Sequence, residues 1–165
     1  MKNFLKYIGV AAVIMLSGNG LYAQWASDSA ARQWVESRNF IFKAESVFPQ
    51  QGRSRQLTSE YDLTISRDTI SSFLPYFGRA YSAPVNPSEG GIKFTSVKFD
   101  YQPAKEKKGR WEILIKPDDA QDVRELYLTV YNNGRATLRV NSVNRQTISF
   151  NGYIIEGPAR AKKAF

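Results

Sequence analysis

The segment Val123–Val140 reads VRELYLTVYNNGRATLRV, and it decides the fold class. Apolar and polar residues alternate on both sides of Asn133-Gly134, which is the period of a β-strand with one buried face. Asn-Gly between two alternating runs is the strongest short-range signal for a β-hairpin. We therefore predict two antiparallel strands here, with Thr137 and Arg139 on the solvent face of the second.

The same kind of pattern continues along the chain from Asn39 onward. Short runs of aromatic and β-branched residues are separated by turn residues, which indicates about eight strands. One short helix precedes them, beginning at Asp28 or Ser29 and ending near Arg38. The sequence therefore predicts a mainly β fold, either an antiparallel open barrel or a β-sandwich of about eight strands with one short N-terminal helix.

Local signals predict how some of these strands begin, bend and end. Tyr61–Leu74 reads as a hairpin, and Pro75 ends its second strand because proline donates no backbone hydrogen bond. The apolar residues of Ile92–Tyr101 change phase midway, which predicts a bulged strand. The last strand or strand pair covers Gln146–Ile155, with a turn or bulge at Asn151-Gly152.

The N-terminus is typical of a secretory signal peptide. Lys2 and Lys6 precede the apolar run Ile8–Leu16, which is far shorter than the roughly 20 residues of a transmembrane helix. Cleavage is predicted after Ala23, and the absence of cysteine removes any lipid attachment at this junction. We expect a signal peptide at 1–23, a single β-rich domain at 24–156, a basic, disordered tail at 157–165, and a non-lipidated protein of the periplasm or cell envelope.

The composition excludes several kinds of chemistry. The chain has no histidine and no cysteine, which excludes a Ser-His-Asp triad, a thiol nucleophile and a zinc site with nitrogen or sulfur ligands. We expect no cofactor and no metal, and an enzyme is the less favoured class, with a carboxylate pair, a Ser-Lys dyad or a calcium site as the chemistry left open.

The formal net charge is +8, and loss of Lys2 and Lys6 with the signal peptide leaves 8 − 2 = +6. This charge is typical of a solvated basic surface or of a protein with an anionic partner. Because export separates the protein from nucleic acid, we expect a small molecule or an anionic envelope component as the ligand. No membrane-spanning segment is expected after signal cleavage.

Two groups of acidic residues have the spacing of a possible site, but their patterns indicate surface features. Glu60 and Asp62 lie two apart on a predicted strand, as a glycosidase-like pair would, but their face alternates with the apolar one and therefore meets solvent. The aspartates of the segment 118–122 lack the glycine and closing glutamate of a calcium loop, so they indicate an acidic turn.

The most conspicuous cluster follows Pro75. Three large aromatic residues and Arg79 occur within six positions, and Gly78 allows the backbone to change direction. An arginine here can stack on an aromatic ring or bind a carboxylate or phosphate. The alternative is that the aromatic residues belong to the core and that Arg79 pairs with Asp62 or Asp100.

A second polar cluster precedes the last strand and can meet the first one in space, although stabilisation of a turn explains it equally well. The hypothesis of a ligand-binding site takes residues from both clusters: Tyr76, Phe77, Arg79, Tyr81, Asn144 and Arg145.

The chain also resembles a family of exported proteins from Bacteroides-type bacteria, the domain of unknown function DUF4251. The stretch Tyr76–Tyr81 after Leu74-Pro75 is the most specific part of the resemblance, which spans nearly the whole mature chain. The other matching stretches are Glu36–Phe40, Gly91–Phe94, Gly109–Ile113 and Asn144–Phe150. The resemblance implies export and assigns no activity.

Three functions remain open from the sequence. The first is a binding domain for a small molecule or envelope component, with its site at the cluster after Pro75. The second is a structural or protein-interaction module in which that cluster is core. The third is a glycan hydrolase that uses carboxylates.

Overall fold

A computed structural model describes residues 28–79, 90–103 and 109–158 of the chain. Within these ranges it contains one helix and nine strands. Their bounds are α1 Asp28–Ser37, β1 Phe40–Pro49, β2 Arg55–Ile65, β3 Ile70–Pro75, β4 Gly91–Ser96, β5 Phe99–Pro103, β6 Arg110–Pro117, β7 Val123–Tyr131, β8 Arg135–Ser142 and β9 Ile148–Glu156. The predicted signal peptide, the loop around residues 80–89, the connection 104–108 and the tail from 159 lie outside the described residues.

All nine strands form one antiparallel sheet in the order β4-β3-β2-β1-β9-β8-β7-β6-β5. The sheet curls into a nearly closed barrel, which confirms the open-barrel form of the predicted fold. Both predicted hairpins are present: β2 pairs with β3, and β7 pairs with β8 across the turn that contains Gly134. In the latter pair Leu128 faces Leu138, so the alternation read from the sequence sets the register.

The inside of the barrel is filled by apolar side chains. Alternate residues of each strand point inward, as the period of two requires. Each of the largest of them is less than 2% exposed, and they come from seven of the nine strands: Phe40, Phe42, Leu63, Ile65, Ile70, Leu74, Ile113, Ile115, Leu126, Leu128, Leu138 and Phe150. The core is therefore built by side chains from most of the sheet.

Helix α1 packs on this core through Ala31 and Val35. It ends where Arg38 takes a positive φ of 53°, which turns the chain into β1. The hydroxyl of Tyr101 donates a hydrogen bond of 3.2 Å to the carbonyl of Val35 and fixes the helix to β5. Burial raises the pKa of Tyr101, so this donor stays protonated. Within the described ranges, no helix has the length and apolarity needed to cross a membrane.

The predicted bulged strand Ile92–Tyr101 is wrong, because the structure divides this segment into β4 and β5 at opposite edges of the sheet. The change of phase marks a corner at Val97-Lys98. The carboxylate of Asp119 accepts hydrogen bonds of 3.0 and 3.2 Å from the amides of these two residues. Hydrogen bonds from the Ser96 side chain and the backbone hold the pKa of Asp119 below its usual value. The acidic turn therefore secures the corner.

At Asn151-Gly152 the structure has no turn, since both residues lie inside strand β9. The ladder is irregular at this position, as the predicted bulge requires, but the extra residue lies in β1, where the register shifts between Ala44, which faces Gly152, and Ser46, which faces Asn151. A side chain at position 152 would place its Cβ 1.8 Å from the carbonyl oxygen of Lys43. Glycine is therefore required because the two backbones approach each other closely.

Candidate functional site

The two predicted clusters meet in the structure, at the exit of β3. The hydroxyl of Tyr76 lies 2.8 Å from the carbonyl oxygen of Arg79 and 3.0 Å from that of Gln146. The amide of Gln146 also donates to the Arg79 carbonyl, at 3.1 Å. Glycine at position 78 allows this conformation of the segment after Pro75, because a Cβ there would lie 2.5 Å from the Tyr76 hydroxyl. The chain after Pro75 is thus fastened to the β8–β9 connection.

Arg145 completes this junction as a buried cation. Its side chain is 8% exposed, and its guanidinium carbon lies 5.2 Å from the centroid of the Tyr76 ring. It donates hydrogen bonds of 3.0 Å to the carbonyl of Gly91 and 3.2 Å to the carboxylate of Asp122. We call Tyr76, Gly91, Asp122, Arg145 and Gln146 the clasp. It joins the ends of β3 and β4 to the β6–β7 and β8–β9 connections.

Phe77 and Arg79 lie beside the clasp and face solvent. Phe77 is 39% exposed, and the guanidinium carbon of Arg55 lies 4.8 Å from the centroid of its ring. The Arg79 side chain is exposed. We call Arg55, Phe77 and Arg79 the lip. Arg55 carries no sequence signal that links it to Phe77, and sequence reasoning missed it.

Several expectations about individual residues of this region are corrected by these contacts. The arginines that stack on Tyr76 and Phe77 are Arg145 and Arg55, not Arg79. The alternative pairing of Arg79 with an acid is also not found in the described residues. Asp62 instead binds Lys43 at 3.0 Å, and Asp100 accepts a hydrogen bond from Gln102.

Two of the predicted site residues remain, Asn144 and Tyr81. Asn144 is exposed next to the clasp. Tyr81 lies outside the described residues.

Most of the acidic residues singled out in the sequence have partners within the described part of the chain. Lys43 lies between Glu60 and Asp62, at 3.3 and 3.0 Å from their carboxylates, and the hydrogen bond to Asp62 is the main cause of the raised pKa of Lys43. Asp119 secures the corner, whereas Asp122 belongs to the clasp. Among the described residues, no group of three or more acidic side chains is placed to hold a metal ion.

A second surface feature was not predicted. A groove of about 700 Å³ lies over strands β5 to β9, on the face opposite the core. We call it the outer groove. Its polar lining includes Gln102, Glu112, Tyr127, Thr129, Thr137, Arg139 and Ser149. The alternation of β8 placed Thr137 and Arg139 on the solvent face, but only the register of five strands shows which side chains stand beside them.

A nearly closed antiparallel barrel with one short helix packed on its core defines the structural class of the protein. The family model described as "Domain of unknown function (DUF4251)" matches residues 23–154, and the chain belongs to this family. A crystal structure of a DUF4251 family protein from Bacteroides eggerthii DSM 20697 has a TM-score of 0.59 and 18% sequence identity, over 78% of this chain and 87% of that one. This likeness shows the fold. None of the curated proteins matches the chain.

Proposed function

We propose that the protein is an exported binding domain that takes an anionic component of the cell envelope at the lip. The observation that carries the proposal is the pairing of a fixed backbone with exposed binding groups. The clasp holds the chain from Tyr76 to Arg79, while Phe77 is exposed against Arg55 and the side chain of Arg79 is exposed two residues further on. The basic, apolar N-terminal segment supports export.

The charges of the lip favour an anion. Arg55 lies on the Phe77 ring, and neither Arg55 nor Arg79 forms an ion pair with a carboxylate in the described part of the chain. Two guanidinium groups offer planar sets of N–H donors that suit phosphate or carboxylate oxygens. Phe77 adds an apolar surface beside them. A ligand that carries an anionic group next to an apolar part fits both.

The structural alternative retains support from the clasp itself. The donors of Arg145 are used by Gly91 and Asp122, and the Tyr76 hydroxyl is used by backbone carbonyls. These two residues therefore stabilise the fold and are not offered as ligand contacts. The hydrolase alternative has no such support, since Lys43 binds both members of the carboxylate pair.

The test uses phosphatidylglycerol vesicles and soluble glycerol phosphate, which carry the same phosphate chemistry with and without a lipid surface. The variant Arg55→Gln/Arg79→Gln should weaken binding of at least one of them roughly tenfold to thirtyfold, because each arginine near an anionic surface contributes about 1 kcal/mol. Co-sedimentation measures the vesicles, and calorimetry measures the soluble compound.

The charge-matched control is Arg67→Gln/Arg124→Gln, which removes two exposed arginines, one from the β2–β3 turn and one from β7, that belong neither to the lip nor to the outer groove. It should leave binding nearly unchanged. An equal loss in the control would show attraction to net charge alone and contradict binding at the lip. The proposal is also contradicted if the unmodified protein binds neither probe.

A further inference from the structure

The outer groove is a second candidate binding site, and it shares no residue with the lip. Strand pairing places one row of side chains across its floor. The row runs from β5 to β9 through Gln102, Leu114, Tyr127, Arg139 and Ser149. With strands about 4.8 Å apart, four intervals give the row a length of about 19 Å. A second row beside it contains Thr129, which faces Thr137. The groove is therefore long enough for a chain-like ligand.

The centre of the first row is held in place by a network. The guanidinium carbon of Arg139 lies 4.7 Å from the centroid of the Tyr127 ring. The Tyr127 hydroxyl donates to Glu125 at 2.9 Å, and Glu125 also lies 3.4 Å from Lys116 and 3.5 Å from Asn141. The hydrogen bond from Tyr127 is the main cause that lowers the pKa of Glu125, so this carboxylate stays ionised at neutral pH. The ring under Arg139 is thus fixed before any ligand arrives.

Arg139 has its hydrogen-bonding groups available. Its side chain is exposed, and in the described part of the chain its recorded contact is with the ring and not with a carboxylate. A guanidinium stacked on a ring directs its N–H groups outward in its own plane, where they suit a carboxylate. Among the described lining residues the acidic side chain is that of Glu112, and it is paired with Arg110 at 2.8 Å. The groove is therefore complementary to negative charge.

The lining combines apolar residues such as Pro103 and Leu114 with hydroxyl and amide groups, and these polar groups select the kind of ligand. Thr129, Thr137 and Ser149 are half-buried, and each hydroxyl both donates and accepts hydrogen bonds, as sugar hydroxyls do. The Thr137 hydroxyl is already oriented by Asn151, at 3.1 Å. A peptide added as a strand would need free main-chain groups, but β6, β7, β8 and β9 each pair on both sides. An acidic sugar chain fits this lining better than an acidic peptide.

We propose that the outer groove binds an acidic oligosaccharide. Arg139 donates to a carboxylate of one sugar, and the hydroxyls of Thr129, Thr137 and Ser149 bind the neighbouring sugars. The probes are tetragalacturonate, maltotetraose as the neutral chain of equal length, and tetraglutamate as the acidic peptide. Titration calorimetry should detect binding of tetragalacturonate, and amide shifts in a ¹H–¹⁵N spectrum should fall on β5 to β9. Neither of the other probes should bind comparably.

Variants then test the residues. Arg139→Gln should weaken tetragalacturonate binding at least about tenfold, since a hydrogen bond to a charged group is lost. Arg139→Lys keeps the charge without the planar fork and should lose less, and Thr137→Val should lose about threefold to tenfold. Arg124→Gln is the matched control on β7 and should bind normally. Unfolding curves establish that each variant is folded.

The proposal is overturned if tetragalacturonate does not bind, if maltotetraose or tetraglutamate binds as tightly, or if Arg139→Gln and Arg124→Gln behave alike. Amide shifts at Arg55, Phe77 and Arg79 in place of β5 to β9 would also overturn it, because they would assign the saccharide to the lip. Loss of phosphate binding at the lip leaves these outcomes unchanged.

Discussion

Two arginines of this barrel lie over tyrosine rings at similar distances and have different surroundings. Arg145 lies 5.2 Å from the Tyr76 centroid, and Arg139 lies 4.7 Å from the Tyr127 centroid. The first is 8% exposed and donates to Gly91 and Asp122, whereas the second is exposed and stacks without an ion pair to a described carboxylate. The ring contact alone therefore assigns no role. The partners of the in-plane N–H groups separate a structural arginine from a candidate binding arginine.

The same substitution at both arginines should change the free energy of unfolding by very different amounts. Arg145→Met leaves the Gly91 carbonyl and the Asp122 carboxylate without their donor, and should lower the free energy of unfolding by about 2–3 kcal/mol. Arg139→Met removes an exposed side chain and should change it by no more than about 0.5 kcal/mol. Urea unfolding with an unchanged m-value measures both. Equal losses would show that the two arginines have the same role.

Gly78→Ala tests whether the clasp depends on the fold of its own loop. The new Cβ would lie 2.5 Å from the Tyr76 hydroxyl and displace a ring that is held by two carbonyls and by Arg145. We expect a loss of about 1–2 kcal/mol in the free energy of unfolding.

Gly90→Ala is the matched control for that change, because a Cβ at this position meets no atom within 4 Å. It should be neutral or stabilising by a few tenths of a kcal/mol. If both alanine variants unfold at the same urea concentration, the Tyr76 ring is not held as described.

The smallest expected effect concerns the ring under Arg139 and depends on pH. The folded state holds the pKa of Glu125 below its unfolded value, chiefly through the Tyr127 hydroxyl. Its stabilising contribution is therefore present above the unfolded pKa and is lost as the pH falls through the folded pKa. The advantage of the unmodified protein over Glu125→Gln should be present at neutral pH and vanish in acid.

Urea midpoints of the two proteins, measured from pH 7 down to about 3, test this sign. In a Tyr127→Phe background the advantage at neutral pH should be smaller, since the main cause of the shift is removed. An advantage that grows as the pH falls would contradict the network under Arg139.

The sequence predicted the strands that depend on local patterning. The period of two in Val123–Val140, with Asn133-Gly134 between its halves, gave the hairpin and its buried face. The change of phase in Ile92–Tyr101 was misread as a bulge, because a bulge and a corner both reverse which alternate residues face the core. Only the pairing of each half with a different strand distinguishes them.

The contacts between the predicted site residues could not be read from the sequence for a related reason. The sequence singled out both Tyr76 and Arg145, but it offered Arg79, the arginine nearest in sequence, as the one that could stack on the aromatic rings. Long-range pairing brings Arg145 to the ring, and no local signal marks which arginine will be buried. The outer groove depends on the register of β5 to β9, so it becomes visible only when the strands are assembled.

The corner at Val97-Lys98 has a consequence for how the barrel avoids unwanted partners. A nine-stranded sheet ordinarily has two distant edges, and each can recruit a strand from another molecule. Here the strands on the two edges, β4 and β5, are consecutive in the chain and only two residues apart. The corner thus brings both edges to a single seam, and Asp119 fastens one end of that seam. A variant that loses this carboxylate would loosen the seam and expose the free edges of β4 and β5 together. We therefore expect aggregation to accompany any weakening of the corner.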